Sequence, residues 1–162
     1  MNNIIENQIT KFVSKNKIIE RSILSQSFNI SCEKITLDDN KSVVAKYYII
    51  ENKKFNSIKS ETKSLLYLLK KFPHTFPSVK YFTDDLLIMD YIEHDDNKNK
   101  NYQNILAREI LKLHSMSNKN YGFEFDSQIG GLKQDNSYSS NWINFFGEQR
   151  LNIIFELINQ ND

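Results

Sequence analysis

The sequence predicts an α+β fold: a five-stranded antiparallel sheet with one intervening helix, then further helices. Two patterns carry that expectation. Short β-branched and aromatic runs are punctuated by turn residues as far as residue 92, and beyond a charged linker the apolar spacing is helical. A third sits between them, an apolar stripe at helical spacing from Phe55 to Phe72.

Taken in order, Ile5, Ile9, Phe12 and Val13 recur as one face of a short amphipathic helix, which stops at the polar cluster Ser14-Lys15-Asn16-Lys17. This helix is expected to lid the domain that follows. Ile18 to Leu24 and Ile30 to Leu37 read as strands joined by the loop Ser25-Gln26-Ser27-Phe28-Asn29, and Asp38-Asp39-Asn40 turns the chain into a third strand around Val43 to Tyr48. Phe55, Ile58, Leu65, Leu68, Leu69 and Phe72 mark the helix, and Pro73 and Pro77 end it. Ser78 to Phe82 and Leu86 to Met89 form a second hairpin around Thr83-Asp84-Asp85.

Asp90-Tyr91-Ile92 leaves the last strand for the charged stretch Glu93 to Lys100, which reads as a linker. The expected organisation is therefore residues 1–89 as one domain, 90–101 as hinge and linker, and 102–162 as the start of a helical domain. Tyr102, Ile105, Leu106, Ile110 and Leu113 define a helix ending at His114, Ile129-Gly130-Gly131 a turn, and Trp142 to Leu157 a final apolar helix beginning near Ser140. The aromatic residues of that last helix are expected in a core, because they bury large apolar area. His74 is expected at the surface, and His114 favours the helix dipole rather than acting as a base.

Within the third strand, alternation places Val44, Lys46 and Tyr48 on one face. A lysine on a largely apolar face needs a partner. Glu61 lies on the packing stripe of the following helix, three residues after Ile58 and four before Leu65, where a carboxylate is costly unless a cation or donors meet it. Protein-kinase-like folds use a strand lysine held by a helix glutamate to reach nucleotide phosphates. By itself, the pair reads more readily as a strand-edge lysine beside a solvated glutamate than as a phosphate-binding pair.

Bulk properties narrow the function. With 21 basic and 20 acidic side chains the net charge is +1, so no basic surface advertises nucleic acid or anionic membrane. Cys32 is the single cysteine, which excludes an internal disulfide and a cysteine-rich zinc site and fits a reducing cytoplasm. No apolar run reaches membrane-spanning length, and no signal peptide is read at the polar amino end.

Several strings then resemble the fructosamine kinase (ketosamine-3-kinase) family, relatives of aminoglycoside phosphotransferases. These are Tyr121-Gly122-Phe123, Ile129-Gly130-Gly131, Gln134-Asp135-Asn136, and Asn141-Trp142-Ile143-Asn144-Phe145-Phe146 followed by Gln149-Arg150-Leu151. Lys133 stands where the family usually has proline. The resemblance spans roughly Glu20 to Leu157 and implies a protein-kinase-like amino-terminal lobe, a hinge and the first helices of a second lobe. Under it, Lys46 contacts the phosphates of ATP with Glu61 as its partner, and Val44 packs on the base. Backbone groups of Asp90 and Ile92, in the hinge Met89-Asp90-Tyr91-Ile92, bond adenine. Ser25 to Asn29 takes the place of the phosphate-covering loop, although it contains no glycine and by itself reads as an ordinary hairpin loop. Arg150 reaches substrate or pairs a carboxylate.

The implied reaction moves the γ-phosphate of ATP, with Mg2+, onto a sugar hydroxyl of a ketosamine. Its base and metal ligands come, in the family, from a His-Gly-Asp…Asn loop and a later Asp, and this sequence contains no His-Gly-Asp string. No catalytic residue and no metal ligand is therefore expected in these 162 residues. The expectation is a nucleotide-binding portion that is inactive by itself, with uncovered helix faces that favour self-association. The competing reading is a non-catalytic kinase-like module that binds nucleotide or a protein partner.

Overall fold

The computed structural model describes residues 3–50, 55–94, 101–129 and 132–159. The chain divides into two compact units, Met1–Glu93 and His94–Asp162.

In the first unit, helix α1 (Asn3–Phe12) precedes strands β1 (Ile18–Ser27), β2 (Ile30–Leu37) and β3 (Ser42–Tyr48), helix α2 (Ser57–Lys71), and strands β4 (Val79–Phe82) and β5 (Leu86–Asp90). The five strands form one antiparallel sheet in the order β1-β2-β3-β5-β4. Alternation along β3 sends its side chains into two cores. Val43, Ala45 and Tyr47 join Ile35, Leu86 and Ile88 beneath Ile5, Ile9 and Val13, so α1 and the turn after it do lid this domain. Tyr48 packs on the opposite face with Leu87 and with Ile58 of α2, and Leu65 and Met89 border them. Because β5 lies between β3 and β4 and carries apolar contacts on both faces, its Leu86-Leu87-Ile88 run is continuously apolar rather than alternating.

The first hairpin differs from the sequence expectation. Strand β1 continues through Ser25, Gln26 and Ser27, which pair with Cys32, Ser31 and Ile30, leaving only Phe28 and Asn29 as the turn. Both have positive φ, 49° and 62°, as a two-residue type I′ turn requires to match strand twist. The five-residue loop is thus a two-residue one, because ladder hydrogen bonds win over polar composition. Left-handed backbone costs a non-glycine residue about 1–2 kcal/mol, and Phe28 is exposed at the tip without compensating burial. The double variant Phe28→Asn/Asn29→Gly is therefore expected to stabilise the fold by about 1 kcal/mol, read as a higher urea midpoint. An unchanged or lower midpoint contradicts the turn.

The second unit holds α3 (Tyr102–His114), a hairpin of β6 (Ser127–Ile129) and β7 (Leu132–Gln134), α4 (Trp142–Phe146), π-helical turns over Gly147–Asn152, and α5 (Ile153–Asn159). Gly130 and Gly131 lie outside the described residues, but Ile129 pairs with Leu132 on either side of them. The single final helix expected from spacing is interrupted by the π segment. Among its described side chains the core expectation holds for Phe145, which is buried, whereas Trp142, Phe146, Leu151 and Ile154 are exposed, as are Ile105, Leu106 and Ile110 of α3. Among the described residues no helix is long and apolar enough to cross a membrane.

Candidate nucleotide-binding site

The site is built from the start of α2. Asn56 caps that helix by accepting a hydrogen bond from the Lys59 N–H (2.8 Å), and its side chain donates to the Asp84 carbonyl (2.7 Å). The Ser57 N–H donates to the Tyr48 hydroxyl at 2.7 Å, tying the helix to β3. Lys59 and Asp84 add an ion pair at 2.8 Å. These ties set the rotation of α2, and Glu61, four residues beyond Ser57, meets Lys46 with Nζ to Oε2 of 2.6 Å. Their side chains are 25% and 26% exposed, too open for a large structural return, since partly solvated pairs contribute about 0–1 kcal/mol.

Antiparallel register extends the pair into a row. Ser25 lies opposite Cys32, Cys32 opposite Lys46, and Lys46 opposite Leu87. Burial pushes the Cys32 thiol up, Lys46 opposes that, Glu61 adds to it, and a hydrogen bond with Ser25 lowers it. Of the loop candidates, Ser25 thus shares the Lys46 face. Gln26 does not: its amide donates to Ser31 at 3.3 Å on the other side of the sheet, because neighbouring strand residues point oppositely.

The next row holds Val44, buried, opposite Met89. Beyond it, the Asp90 N–H donates to the Ser78 carbonyl at 3.0 Å, and its carboxylate pairs with Lys80 at 2.9 Å. Burial pushes that carboxyl up, but the Lys80 and Ser78 hydrogen bonds outweigh it and leave it below the usual range. Tyr91 is half-buried and Ile92 exposed. Lys46, Glu61, Val44 and Ser25 are therefore brought together, whereas Phe28 and Asn29 occupy the hairpin tip.

In the second unit, sequence spacing gave no hint of how the late motif residues are used. Arg150 donates to the carbonyls of Asp135 (2.6 Å) and Gln149 (2.8 Å) and to the Asn136 amide oxygen, and lies 4.7 Å from the Phe145 ring centre. Asn136 is buried and donates to the Phe125 carbonyl (3.0 Å) and Ser127 hydroxyl (2.9 Å). Arg150 thus binds backbone and amide oxygens of its own unit, where the sequence suggested substrate or a carboxylate.

A five-stranded antiparallel sheet with one helix carrying the glutamate of a strand lysine, followed by a helical unit, is the kinase-like fold. The sequence pattern of the fructosamine kinase family matches residues 2–162, and the chain belongs to that family. It is 36% identical over 76 residues to the chloroplastic protein-ribulosamine 3-kinase of Oryza sativa subsp. indica, covering 46% of this chain and 22% of that protein. A "probable ketoamine kinase" of Pasteurella multocida is 29% identical over 108 residues, 63% of this chain and 38% of that protein. A Haemophilus somnus structure assigned as a fructosamine-3-kinase superposes with TM-score 0.77 at 21% identity, over 94% of this chain and 54% of that one. An aminoglycoside phosphotransferase in complex with streptomycin and ATP shares the fold at TM-score 0.51 and 21% identity, over 73% of this chain and 41% of that one. The chain thus spans 22% to 38% of the length of these two sequence relatives.

Proposed function

We propose that these residues are the nucleotide-binding portion of an ATP-dependent ketosamine kinase. Lys46, oriented by Glu61, holds the phosphates of ATP, Val44 packs on the base, and backbone groups of Asp90 and Ile92 bond its edge. The observation that carries this reading is the 2.6 Å Lys46–Glu61 pair in a chain of this family. Carbohydrate-amine adducts of the fructosamine or ribulosamine type are the substrate class, in keeping with the names of the relatives. In the whole enzyme a sugar hydroxyl attacks the γ-phosphorus, the bond to ADP breaks and the hydroxyl proton leaves to a base. A reducing compartment such as the cytoplasm fits the single Cys32.

Magnesium normally neutralises the charge of the transferring phosphate. The sequence has no His-Gly-Asp string. The 162 residues by themselves are therefore expected to bind ATP without transferring phosphate. Incubation with ATP and fructoselysine or ribuloselysine, followed by mass spectrometry, checks this. Phosphorylated sugar in the products sinks the expectation of inactivity, and absence of ATP binding by calorimetry sinks the nucleotide site. The glycine-free Phe28-Asn29 turn favours, as a second reading, a module that binds nucleotide without catalysis. Exposed apolar side chains on α3 and α5 favour self-association.

A further inference from the structure

Lys34 on β2 lies opposite Val44, and Val44 lies opposite Met89, so these three form the row beside Cys32, Lys46 and Leu87. Its ammonium sits 4.0 Å from the centre of the Tyr91 ring and 3.6 Å from Glu93 Oε1. The Lys34 side chain is 24% exposed and Glu93 80% exposed, so the ring contact is the better shielded of the two. A cation over an aromatic face is stronger when desolvated, whereas an exposed ion pair contributes little. The two residues it touches flank Ile92. On the other side Asp90 is anchored to Ser78 and Lys80, so residues 90–93 are held from β4 at one end and from β2 at the other.

We propose that Lys34 is a positioning residue for the base-binding segment. By clasping Tyr91 and Glu93 it sets the course of the backbone whose groups meet the nucleobase, and so governs selectivity for adenine without touching ATP. This rests on the nucleotide reading above. The phosphates belong to Lys46, in a different row, so base binding and phosphate binding are separable.

The test measures dissociation constants of ATP, GTP and inorganic tripolyphosphate for the 162-residue chain, Lys34→Met, Lys34→Arg and Tyr91→Leu, after circular dichroism confirms folding. Lys34→Met is expected to weaken ATP about fivefold to tenfold and to narrow its advantage over GTP. Tripolyphosphate should stay within about twofold. Tyr91→Leu reproduces the loss, and Lys34→Arg restores ATP because a guanidinium keeps both contacts. Equal weakening of ATP and tripolyphosphate, or no change in either, overturns the proposal. If the unmodified chain binds no ATP, or its binding survives Lys46→Ala, the nucleotide reading fails and takes this proposal with it. Lys46-dependent binding that ignores Lys34 removes only the clasp.

Discussion

Lys46→Ala is expected to weaken ATP binding about tenfold to a hundredfold while shifting unfolding free energy by no more than about 1 kcal/mol. The first figure is a charge-assisted hydrogen bond of about 1.5–3 kcal/mol to the phosphates. The second follows from the one-quarter exposure of Lys46 and Glu61, which lets water solvate the orphaned carboxylate. Calorimetric titration with ATP and a urea melt of the same variant separate the two. Unchanged ATP affinity places the nucleotide elsewhere. A large loss of stability makes the pair a structural tie instead.

Gly122→Ala is expected to cost about 3 kcal/mol or more, from backbone strain together with overpacking. Gly122 has φ of 125°, and a Cβ there would stand 2.7 Å from the Asn136 carbonyl oxygen and 2.9 Å from Tyr138 Cα. Those atoms are backbone and are held in place. The Phe123 N–H donates to the same Asn136 carbonyl at 2.8 Å, and Tyr121 and Ser139 exchange two hydrogen bonds of 2.8 Å. Losing this bridge should release the buried Asn136 and with it the Arg150 contacts. Thermal melts, with two-dimensional NMR to localise the change to the second unit, check the expectation. A variant that melts with the parent chain contradicts the close approach.

The late motif strings pointed to a family, but what they do was hidden. Gly122, Asn136 and Arg150 are separated in sequence, and nothing in their spacing says that an arginine will satisfy carbonyls while an asparagine bridges a turn. The Lys34–Tyr91 contact was equally invisible, because lysines are common on strands and which one meets the ring depends on register. The hairpin length is hidden for a related reason: Ser25-Gln26-Ser27 has turn composition, yet pairing with Ile30 to Cys32 keeps it in the strand.

By itself, the sequence determined the periods. Alternation put Lys46 and Tyr48 on one face of β3 and Ala45 and Tyr47 on the other, and helical spacing placed Glu61 on the stripe of Ile58 and Leu65, because side-chain direction follows from local backbone geometry. Only the tertiary structure decided what meets across those faces. Strand order put β5 beside β3, register aligned Cys32 with Lys46 and Lys34 with Val44, and capping by Asn56 and Tyr48 set the rotation of α2. Such contacts join residues distant in sequence and depend on the packing of whole elements, which no local pattern encodes.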